Sequence, residues 1–333
     1  MPVIFVSSPI HEDVLKELRK LGTVFCGYGP DAVPYDDVKG EVEAVLLRSG
    51  TFTARMIDGS PKLRIIARHG VGTDTVDIPA ATARNVWVTN TPRANSRAVA
   101  EHVFALVLSL CRKVQTASAR TRNGDWSGDR MTLTGIELNG RTIGLLGLGN
   151  IGRHVARIAE GFGMTVLVTD PALKQDSDPN LHLVPFDELV RESDILSLHL
   201  PLLPSTRNII DAAVFGRMKD HAILVNTARG GLINEPALVD ALRNGRLGGA
   251  ALDVLDAENA DMTDPLPHNR IPLAEFPNLI VTPHVGGQTQ EALMRVGHIA
   301  TDAIRCVLGG GRPDCAVNDV PSGVTGAGHR ISA

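Results

Sequence analysis

The stretch from Arg141 to Gly152 reads RTIGLLGLGNIG, and it decides the fold. An apolar, strand-like run ends in the pattern G-x-G-x-x-G, formed by Gly147, Gly149 and Gly152, and leads directly into an apolar-periodic segment that ends near Phe162. The first glycine permits a tight turn, the second lets a pyrophosphate approach the backbone, and the third lets a helix pack against the strand. Because phosphates bind well at a helix N-terminus, this strand–turn–helix pattern predicts a dinucleotide-binding unit.

A second strand-like run, residues 164–169, ends at Asp170. An acidic residue at this point accepts hydrogen bonds from the adenosine ribose hydroxyls, and its charge repels a 2′-phosphate. The next three residues, 171–173, include no arginine that would bind such a phosphate. The pattern therefore predicts NAD as the cofactor rather than NADP.

Composition restricts the function classes. The chain has 333 residues, enough for two domains, and a formal net charge of −4, so we expect binding neither to nucleic acid nor to an anionic membrane. The four cysteines form no Cys-x-x-Cys pattern and have no histidine at ligand spacing, so we expect no metal site and no disulfide framework. The N-terminus lacks the pattern of a signal peptide, and no apolar run approaches the ~20 residues of a membrane span. These features favour a cytoplasmic protein.

Short β-type runs alternate with helical patterns along nearly the whole chain, which predicts an α/β protein with parallel sheets. In the first part we predict strands at 2–7, 23–26, 44–48, 63–68 and 86–89, and helices near 10–21, 52–59 and 78–84. A long segment without Gly or Pro, residues 96–121, predicts one helix that leads from one domain into the next. Further strands are predicted at 141–147, 164–170, 194–199, 221–227, 248–253 and 279–282, and helices near 151–162, 186–192, 206–217 and 235–244.

Six strands complete a dinucleotide-binding domain, so we expect the helical pattern at 288–308 to return to the first domain. The prediction is two doubly wound parallel-sheet domains with a cleft between them. The substrate domain comprises residues 1–97 plus 289–320, and the Rossmann NAD domain comprises residues 98–288. The small, polar tail 321–333 is expected to be flexible.

Three segments at the carboxyl ends of predicted strands carry the side chains suited to chemistry. They contain Arg229, the acidic stretch 251–258, and His284. An arginine can grip a carboxylate and polarise a carbonyl, and a histidine can exchange a hydroxyl proton near neutral pH. A carboxylate bonded to the other ring nitrogen fixes the tautomer of the histidine. This set of groups is what hydride transfer at a 2-keto acid requires.

In these motifs the chain resembles the D-isomer-specific 2-hydroxyacid dehydrogenase family, which includes phosphoglycerate dehydrogenase and the glyoxylate/hydroxypyruvate reductases. The resemblance extends from Leu46 to about Val317. It implies that Arg229 binds substrate, that Glu258 is the partner of the histidine, and that His284 is the acid/base. It also implies a flavodoxin-like substrate domain, a homodimer, and a small anionic substrate of D configuration.

The resemblance extends to binding residues. It implies cofactor contacts from Gly147, Gly149, Asn150, Ile151, Gly152, Asp170, Leu200, Pro201, Thr206, Thr227, Ala228, Asp253, Gly286 and Gly287, with Asp253 near the nicotinamide carboxamide. It implies substrate contacts from Arg48, Ser49, His69, Gly70, Val71 and Gly72.

Alternatives stay open at several of these positions. Asp256 and Asp261 compete with Glu258 as the histidine's partner. His69 contacts substrate or is a bystander, and the residues reaching a second anion are drawn from Arg48, Arg68 and Arg93. Other histidines are expected to be structural (His199) or to be solvated or interdomain residues on helices (His102, His154).

The chain departs from the family pattern at Arg93, at Thr75, at Asn259 and in the length of the stretch 259–283. These positions are expected at the rim of the cleft, so the sequence leaves the particular substrate open.

The sequence thus predicts an NAD-dependent oxidoreductase that interconverts a small D-2-hydroxy acid and its 2-keto acid. Within enzymes, formate- and phosphite-type dehydrogenases are the nearest competitors. The alternative from another class is an NAD(H)-sensing repressor or scaffold without significant turnover, since a fold alone does not decide function. The presence of Arg229, Glu258 and His284 together favours the enzyme.

Overall fold

The computed structural model describes residues 1–173, 181–259 and 264–320. The described residues divide into two compact units, the first formed by residues 1–95 and 288–320, and the second by the described residues of 96–287. The predicted flexible tail 321–333 and Asp261 lie outside the described residues.

The first unit begins with a regular alternation of strands and helices. Its elements are β1 (Val3–Val6), α1 (Glu12–Leu21), β2 (Thr23–Cys26), α2 (Tyr35–Val38), β3 (Ala44–Leu47), α3 (Ala54–Asp58), β4 (Ile65–Arg68), α4 (Ile78–Ala83) and β5 (Trp87–Thr89). The five strands are parallel and lie in the order β2-β1-β3-β4-β5, which is the flavodoxin-like order. The five predicted strands are confirmed, but α2 was missed, since four residues carry no helical periodicity.

The second unit contains most of the remaining elements. They are α5 (Ser96–Cys111), α6 (Val114–Arg122), β6 (Thr142–Leu146), α7 (Asn150–Gly161), β7 (Thr165–Thr169), β8 (Leu181–Leu183), α8 (Phe186–Glu192), β9 (Ile195–Leu198), α9 (Ala212–Arg217), β10 (Ala222–Asn226), α10 (Glu235–Arg243), β11 (Leu247–Leu252) and β12 (Leu279–Val281). The sheet order is β12-β11-β10-β9-β6-β7-β8, with all neighbours parallel. Read from the β8 side, this is the Rossmann order with one added strand.

The last helix, α11 (Gln290–Leu308), belongs to the first unit. It packs with α1 against one face of the five-stranded sheet, where Ile4, Leu46 and Ile65 are buried against Ala300 and Ile304. The two faces of the larger sheet are covered in the same manner, by α5 and α7 on one side and by α8, α9 and α10 on the other. No helix in the described part of the chain is long and apolar enough to cross a membrane.

The prediction of six strands in the second unit was wrong, because the described residues of that unit form seven. The missing strand, β8, is three residues long and pairs with β7 through Leu181 and Leu183. A run of three residues with only two apolar positions has no periodic signal. Its strand conformation therefore depends on pairing with β7 and could not be predicted from these residues alone.

The single helix predicted over 96–121 was also wrong. Lys113 adopts a left-handed conformation with φ of 52° and separates α5 from α6. The carbonyl of Cys111, which a continuous helix would use internally, accepts instead the N–H of Ile136 at 2.9 Å. Gly135 allows this approach, because a β-carbon there would overlap the Cys111 carbonyl oxygen.

The helix predicted over 206–217 begins only at Ala212. Asp211 caps its first turn by accepting the N–H of Val214 at 2.9 Å. The preceding Ile210 is extended and forms a parallel bridge with Ile233. Its buried side chain accounts for the apolar pattern that suggested a longer helix.

Candidate active site

The predicted functional side chains of the second unit follow strands that are neighbours in the sheet. Arg229 comes after β10, Asp253 after β11 and His284 after β12, and these three strands are adjacent. Because the strands are parallel, their carboxyl ends share one edge of the sheet. The glycine turn at Gly147 follows β6 at the same edge.

His284 and Glu258 form a hydrogen-bonded pair. The Nδ1 atom of the imidazole lies 2.7 Å from Oε2 of Glu258. The glutamate side chain is largely buried, 14% exposed, whereas the histidine side chain is 49% exposed. An ionised carboxylate only accepts, so Nδ1 carries the hydrogen and the other ring nitrogen, Nε2, is the one that can exchange a proton.

Local backbone geometry holds Glu258 in place. Residues Asp256–Asn259 form a short 3-10 turn, and Oε1 of Glu258 accepts the N–H of Leu255 at 2.8 Å. This is the glutamate half of a capping box, in which a glutamate at the third position of a turn reaches back to the residue before it. The neighbouring acid Asp256 pairs instead with Arg207 at 3.4 Å, so of the two described candidates Glu258 is the histidine's partner.

Arg229 lies in a turn that a buried amide organises. The side chain of Asn226 donates to the carbonyl of Arg229 at 2.8 Å and accepts the N–H of Ala228 at 3.0 Å. The next residue, Gly230, packs directly on the turn of Glu258, because a β-carbon on Gly230 would overlap the carbonyl carbon of Leu255. The arginine turn and the glutamate turn are therefore in direct contact.

Asp253 is buried, 2% exposed, and binds the loop that carries His284. Its main-chain carbonyl accepts the N–H of His284 at 3.0 Å, and its carboxylate accepts those of Val285 at 2.9 Å and Gly286 at 2.8 Å. Burial acts to raise the pKa of Asp253, but hydrogen bonds from His102, from Thr282 and from this main chain outweigh it, so the pKa lies below the usual value. Its proposed contact with the nicotinamide carboxamide stays a prediction.

The glycine turn fits a dinucleotide. Gly147 has φ of +104°, and a β-carbon there would lie 2.9 Å from the carbonyl group of His199. A β-carbon on Gly152 would overlap the carbonyl oxygen of Gly147, whereas one on Gly149 would have no neighbour within 4 Å. Helix α7 begins at Asn150 without a side-chain cap, so its first N–H groups can bind phosphate oxygens.

Asp170 lies at the end of β7 beside a cavity. Its carboxylate accepts the N–H of Leu148 at 2.7 Å and that of Ala172 at 2.8 Å, which leaves lone pairs for further donors. The cavity has a volume of about 270 Å³ and is lined by Val168, Thr169, Asp170, Pro171, Leu173, Leu183, Val184 and Pro185. A mostly apolar cavity beside a carboxylate suits an adenosine group. The sequence reasoning missed its far wall, because that wall is formed by the residues of and after β8.

Other predicted cofactor residues lie at the same edge of the sheet. Thr206 is held by donating to the carbonyl of Pro201 at 2.7 Å, and Leu200 beside it is buried. The hydroxyl of Thr227 is buried and makes no hydrogen bond within the described residues, as expected of a group that binds a ligand. The roles of these residues, and those of Ile151, Ala228 and Gly287, stay predictions.

His199 is structural in character. It lies beneath the glycine turn, with its Nδ1 atom buried and Nε2 3.0 Å from the hydroxyl of Ser197. Burial lowers its pKa to about 4, so the imidazole is neutral at physiological pH.

The first unit carries the predicted substrate-binding residues on neighbouring strand ends. Arg48, after β3, binds the side-chain oxygen of Gln288 at 2.8 Å, and the hydroxyl of Ser49 is hydrogen-bonded to Ser8. His69, after β4, is 7% exposed, and its burial, followed by the charge of Arg48, lowers its pKa to about 4. Arg68 binds the Leu47 carbonyl at 2.9 Å.

The loop after His69 reaches the surface of the first unit. Gly70 has φ of +153° and Val71 is 40% exposed. Its role as a carboxylate-binding loop stays a prediction.

Three residues that hold the site in place escaped the sequence reasoning. They are Asn226, which organises the arginine turn, and the pair Thr282 and His102, which bind Asp253. His102 was expected to be a solvated or interdomain residue; its 19% exposure and its bond to Thr282 within the second unit argue against the solvated alternative. A threonine directly before Pro-His was the available signal, but nothing in the sequence pairs it with a helix 180 residues away.

Comparison with known proteins places this site in a family. Residues 104–286 match the family model for the NAD-binding domain of D-isomer specific 2-hydroxyacid dehydrogenases. The chain is 38% identical over 322 residues to D-3-phosphoglycerate dehydrogenase of Methanocaldococcus jannaschii, covering 96% of this chain and 60% of that one. It is 42% identical over 258 residues to hydroxypyruvate reductase of Thermotoga maritima, covering 77% of this chain and 82% of that one.

A solved structure agrees with these matches. D-lactate dehydrogenase with NAD⁺ from Lactobacillus jensenii superposes with a TM-score of 0.78 at 31% identity, covering 95% of this chain and 100% of the other. The fold and the glycine turn define a dinucleotide-binding α/β protein. More particularly, the chain belongs to the D-isomer-specific 2-hydroxyacid dehydrogenase family, and its second unit contains the family's NAD-binding domain. It spans 56–60% of the length of the first phosphoglycerate dehydrogenases that it matches.

Proposed function

We propose that this protein is an NAD-dependent oxidoreductase that interconverts a small D-2-hydroxy acid and the corresponding 2-keto acid. The observation that carries the proposal is the His284–Glu258 pair at 2.7 Å, on a turn that touches the turn of Arg229. NAD supplies the hydride acceptor in oxidation and, as NADH, the hydride donor in reduction.

The residues of the pair divide the proton chemistry between them. In oxidation Nε2 of His284 takes the hydroxyl proton of the substrate, and in reduction it returns that proton to the carbonyl oxygen. Glu258 keeps the ring oriented through Nδ1 and stabilises the imidazolium that forms. The guanidinium of Arg229 binds the substrate carboxylate and polarises the carbonyl.

The substrate class is a small 2-keto acid with one further polar or anionic group. Hydroxypyruvate and phosphohydroxypyruvate are the leading candidates, because the matched relatives include hydroxypyruvate reductase and phosphoglycerate dehydrogenases. In the first unit, we assign Arg48 to a second anion, since it directly follows strand β3 at the carboxyl edge of the sheet.

The test is NADH oxidation followed by absorbance, against glyoxylate, hydroxypyruvate, phosphohydroxypyruvate, pyruvate, 2-ketoglutarate and sulfopyruvate, with NADPH in parallel. Turnover of one member with NADH preferred, and its loss in His284→Ala, is the expected result. Binding of NADH without turnover of any of these 2-keto acids would overturn the proposed oxidoreductase activity and favour the NAD(H)-sensing alternative.

We further infer a cytoplasmic homodimer. Support comes from the segment after α6, where Trp126 is 72% and Met131 75% exposed, since exposed apolar patches mark interaction surfaces. Light scattering at micromolar concentration should give twice the chain mass, and Trp126→Glu with Met131→Glu should shift it toward the monomer. A monomeric wild-type protein would contradict the inference.

A further inference from the structure

His102 is positioned at the back of the loop that carries His284. It lies on α5, and its Nε2 atom is 3.1 Å from the hydroxyl oxygen of Thr282 and 3.4 Å from Oδ1 of Asp253. Gly286 allows this approach, because a β-carbon there would lie 3.4 Å from the ring of His102 and 2.9 Å from the Asp253 carboxylate. The imidazole, the hydroxyl and the carboxylate form one cluster within the second unit.

The direction of the hydrogen bonds in this cluster follows from the chemistry of the groups. The hydroxyl of Thr282 lies 2.6 Å from Oδ1 of Asp253, and a carboxylate whose pKa is lowered is ionised and only accepts. Thr282 therefore uses its single hydrogen on Asp253. Its oxygen can then only accept from His102, which must carry a hydrogen on Nε2.

Asp253 connects the hydrogen-bonded series of His102 and Thr282 to the loop of His284. Three consecutive N–H groups, those of His284, Val285 and Gly286, converge on its carbonyl and its carboxylate. His284 itself has φ of 52°, a left-handed conformation that is unfavourable for a non-glycine residue and persists only where surrounding contacts enforce it. The hydrogen bonds that Asp253 accepts from these three N–H groups form a clamp around this residue.

We propose that His102 is a positioning residue for the reaction, which acts through Thr282 and Asp253 to hold the loop of His284 in its left-handed conformation. This inference rests on the proposed function, since it assigns His284 as the acid/base. When the hydrogen bonds that link His102, Thr282 and Asp253 are intact, the imidazole of His284 stays aligned with Glu258. Without the donor of His102, Thr282 can rotate its hydroxyl away and the clamp loosens.

The test compares substitutions at His102 and at Thr282. His102→Leu removes the donor and His102→Gln restores one, because the glutamine amide N–H₂ can occupy the place of Nε2. Thr282→Val removes the hydroxyl at nearly the same volume, and Thr282→Ser retains it. His298→Leu is the matched control, since His298 is also a helical histidine bonded to a carboxylate, that of Glu17 at 3.1 Å, in the first unit.

We expect His102→Leu and Thr282→Val to lower kcat about 10- to 100-fold, the effect of a displacement of the reacting group by about 1 Å. The dissociation constant for NADH and the melting temperature should change little. His102→Gln and Thr282→Ser should retain most of the wild-type kcat. The double variant, His102→Leu with Thr282→Val, should lose no more of kcat than either single variant. A structural role alone would instead lower the melting temperature with kcat unchanged. Additive losses of kcat in the double variant would overturn the proposal that His102 acts through Thr282.

A readout independent of turnover separates this proposal from the proposed function. The amide protons of Val285 and Gly286 bond to a carboxylate, so their NMR chemical shifts report the clamp directly. They should move in His102→Leu and Thr282→Val and stay in place in the two conservative variants and in His298→Leu. If the wild-type protein turns over no 2-keto acid, the proposed function fails, but these chemical shifts still test whether His102 positions the loop of His284. Shifts that do not move in His102→Leu and Thr282→Val would overturn that positioning role.

Discussion

The carboxylate of Glu258 is held at both of its oxygens: Oε2 lies 2.7 Å from Nδ1 of His284, and Oε1 accepts the N–H of Leu255 at 2.8 Å. The glutamate therefore cannot rotate without losing a main-chain hydrogen bond. The orientation of the imidazole is set by the backbone of a short turn rather than by a mobile side chain.

Glu258→Gln tests this relationship. The amide keeps the shape but can present its N–H₂ group to the histidine, which favours the wrong tautomer, so kcat should fall by about 10² to 10⁴ with NADH affinity unchanged. Steady-state kinetics and NADH titration provide the measurement. Asp256→Asn, two residues earlier and paired with Arg207, is the control and should keep most of the activity. Equal losses in both variants would contradict the assignment of Glu258.

Asp170→Asn should relax the preference for NADH. Loss of the negative charge removes the repulsion of a 2′-phosphate, while the remaining oxygen can still accept one of the two N–H groups that the carboxylate binds. We expect the ratio of kcat/KM for NADH over NADPH to fall by roughly tenfold, equivalent to about 1.4 kcal/mol. An unchanged ratio would show that another group excludes NADPH.

Gly230→Ala should separate the arginine turn from the glutamate turn. The new methyl group would overlap the carbonyl of Leu255, and overpacking of this kind costs about 1–3 kcal/mol. Both the melting temperature and kcat should fall. Gly216→Ala is the matched control: it lies within α9 with no atom within 4 Å of the new carbon, and it should be neutral or stabilising by up to about 1 kcal/mol. Equal stability of the two variants would contradict the packing argument.

His199 should make the protein sensitive to mild acid. Its pKa of about 4 lies below the ordinary 6.5, so between these values the unfolded chain binds a proton that the native protein does not. The stability that the neutral imidazole contributes is complete above pH 6.5 and is lost as the pH falls toward 4, by at most about 1.4 kcal/mol per pH unit.

Denaturant unfolding at several pH values measures this effect. In His199→Gln the decline of the unfolding free energy between pH 6.5 and 4 should be shallower, with the part due to the similarly buried His69 still present. His182→Gln, on the exposed side of β8, is the control. A decline that is identical in wild type and His199→Gln would contradict the buried neutral imidazole.

Much of the fold was predictable because its signals are local. The strands of the first unit carry short apolar runs such as Ala44–Leu47 and Ile65–Arg68, which are typical of buried parallel strands. The glycine pattern 147–152 depends on backbone sterics within one turn, so it is readable without knowledge of any partner. The roles of Arg229, Glu258 and His284 came from the resemblance of their motifs to the family.

Where the sequence reasoning failed, a distant part of the chain decided the local structure. Lys113 ends α5 because the N–H of Ile136 takes the carbonyl of Cys111. Strand β8 exists because β7 offers a free edge to three residues that have no pattern of their own.

The sequence by itself determined the two parallel sheets, the dinucleotide turn and the identity of the groups that can carry hydride-transfer chemistry, because periodicity, glycine sterics and motif spacing are properties of neighbouring residues. Only the tertiary structure decided which acid binds the histidine and which groups orient them both. Glu258 is preferred over Asp256 because of a 3-10 turn, and His102 meets Asp253 because helix α5 packs beside the carboxyl end of β11. Such pairings depend on distances of a few ångströms between residues far apart in the chain, and a single sequence does not contain them.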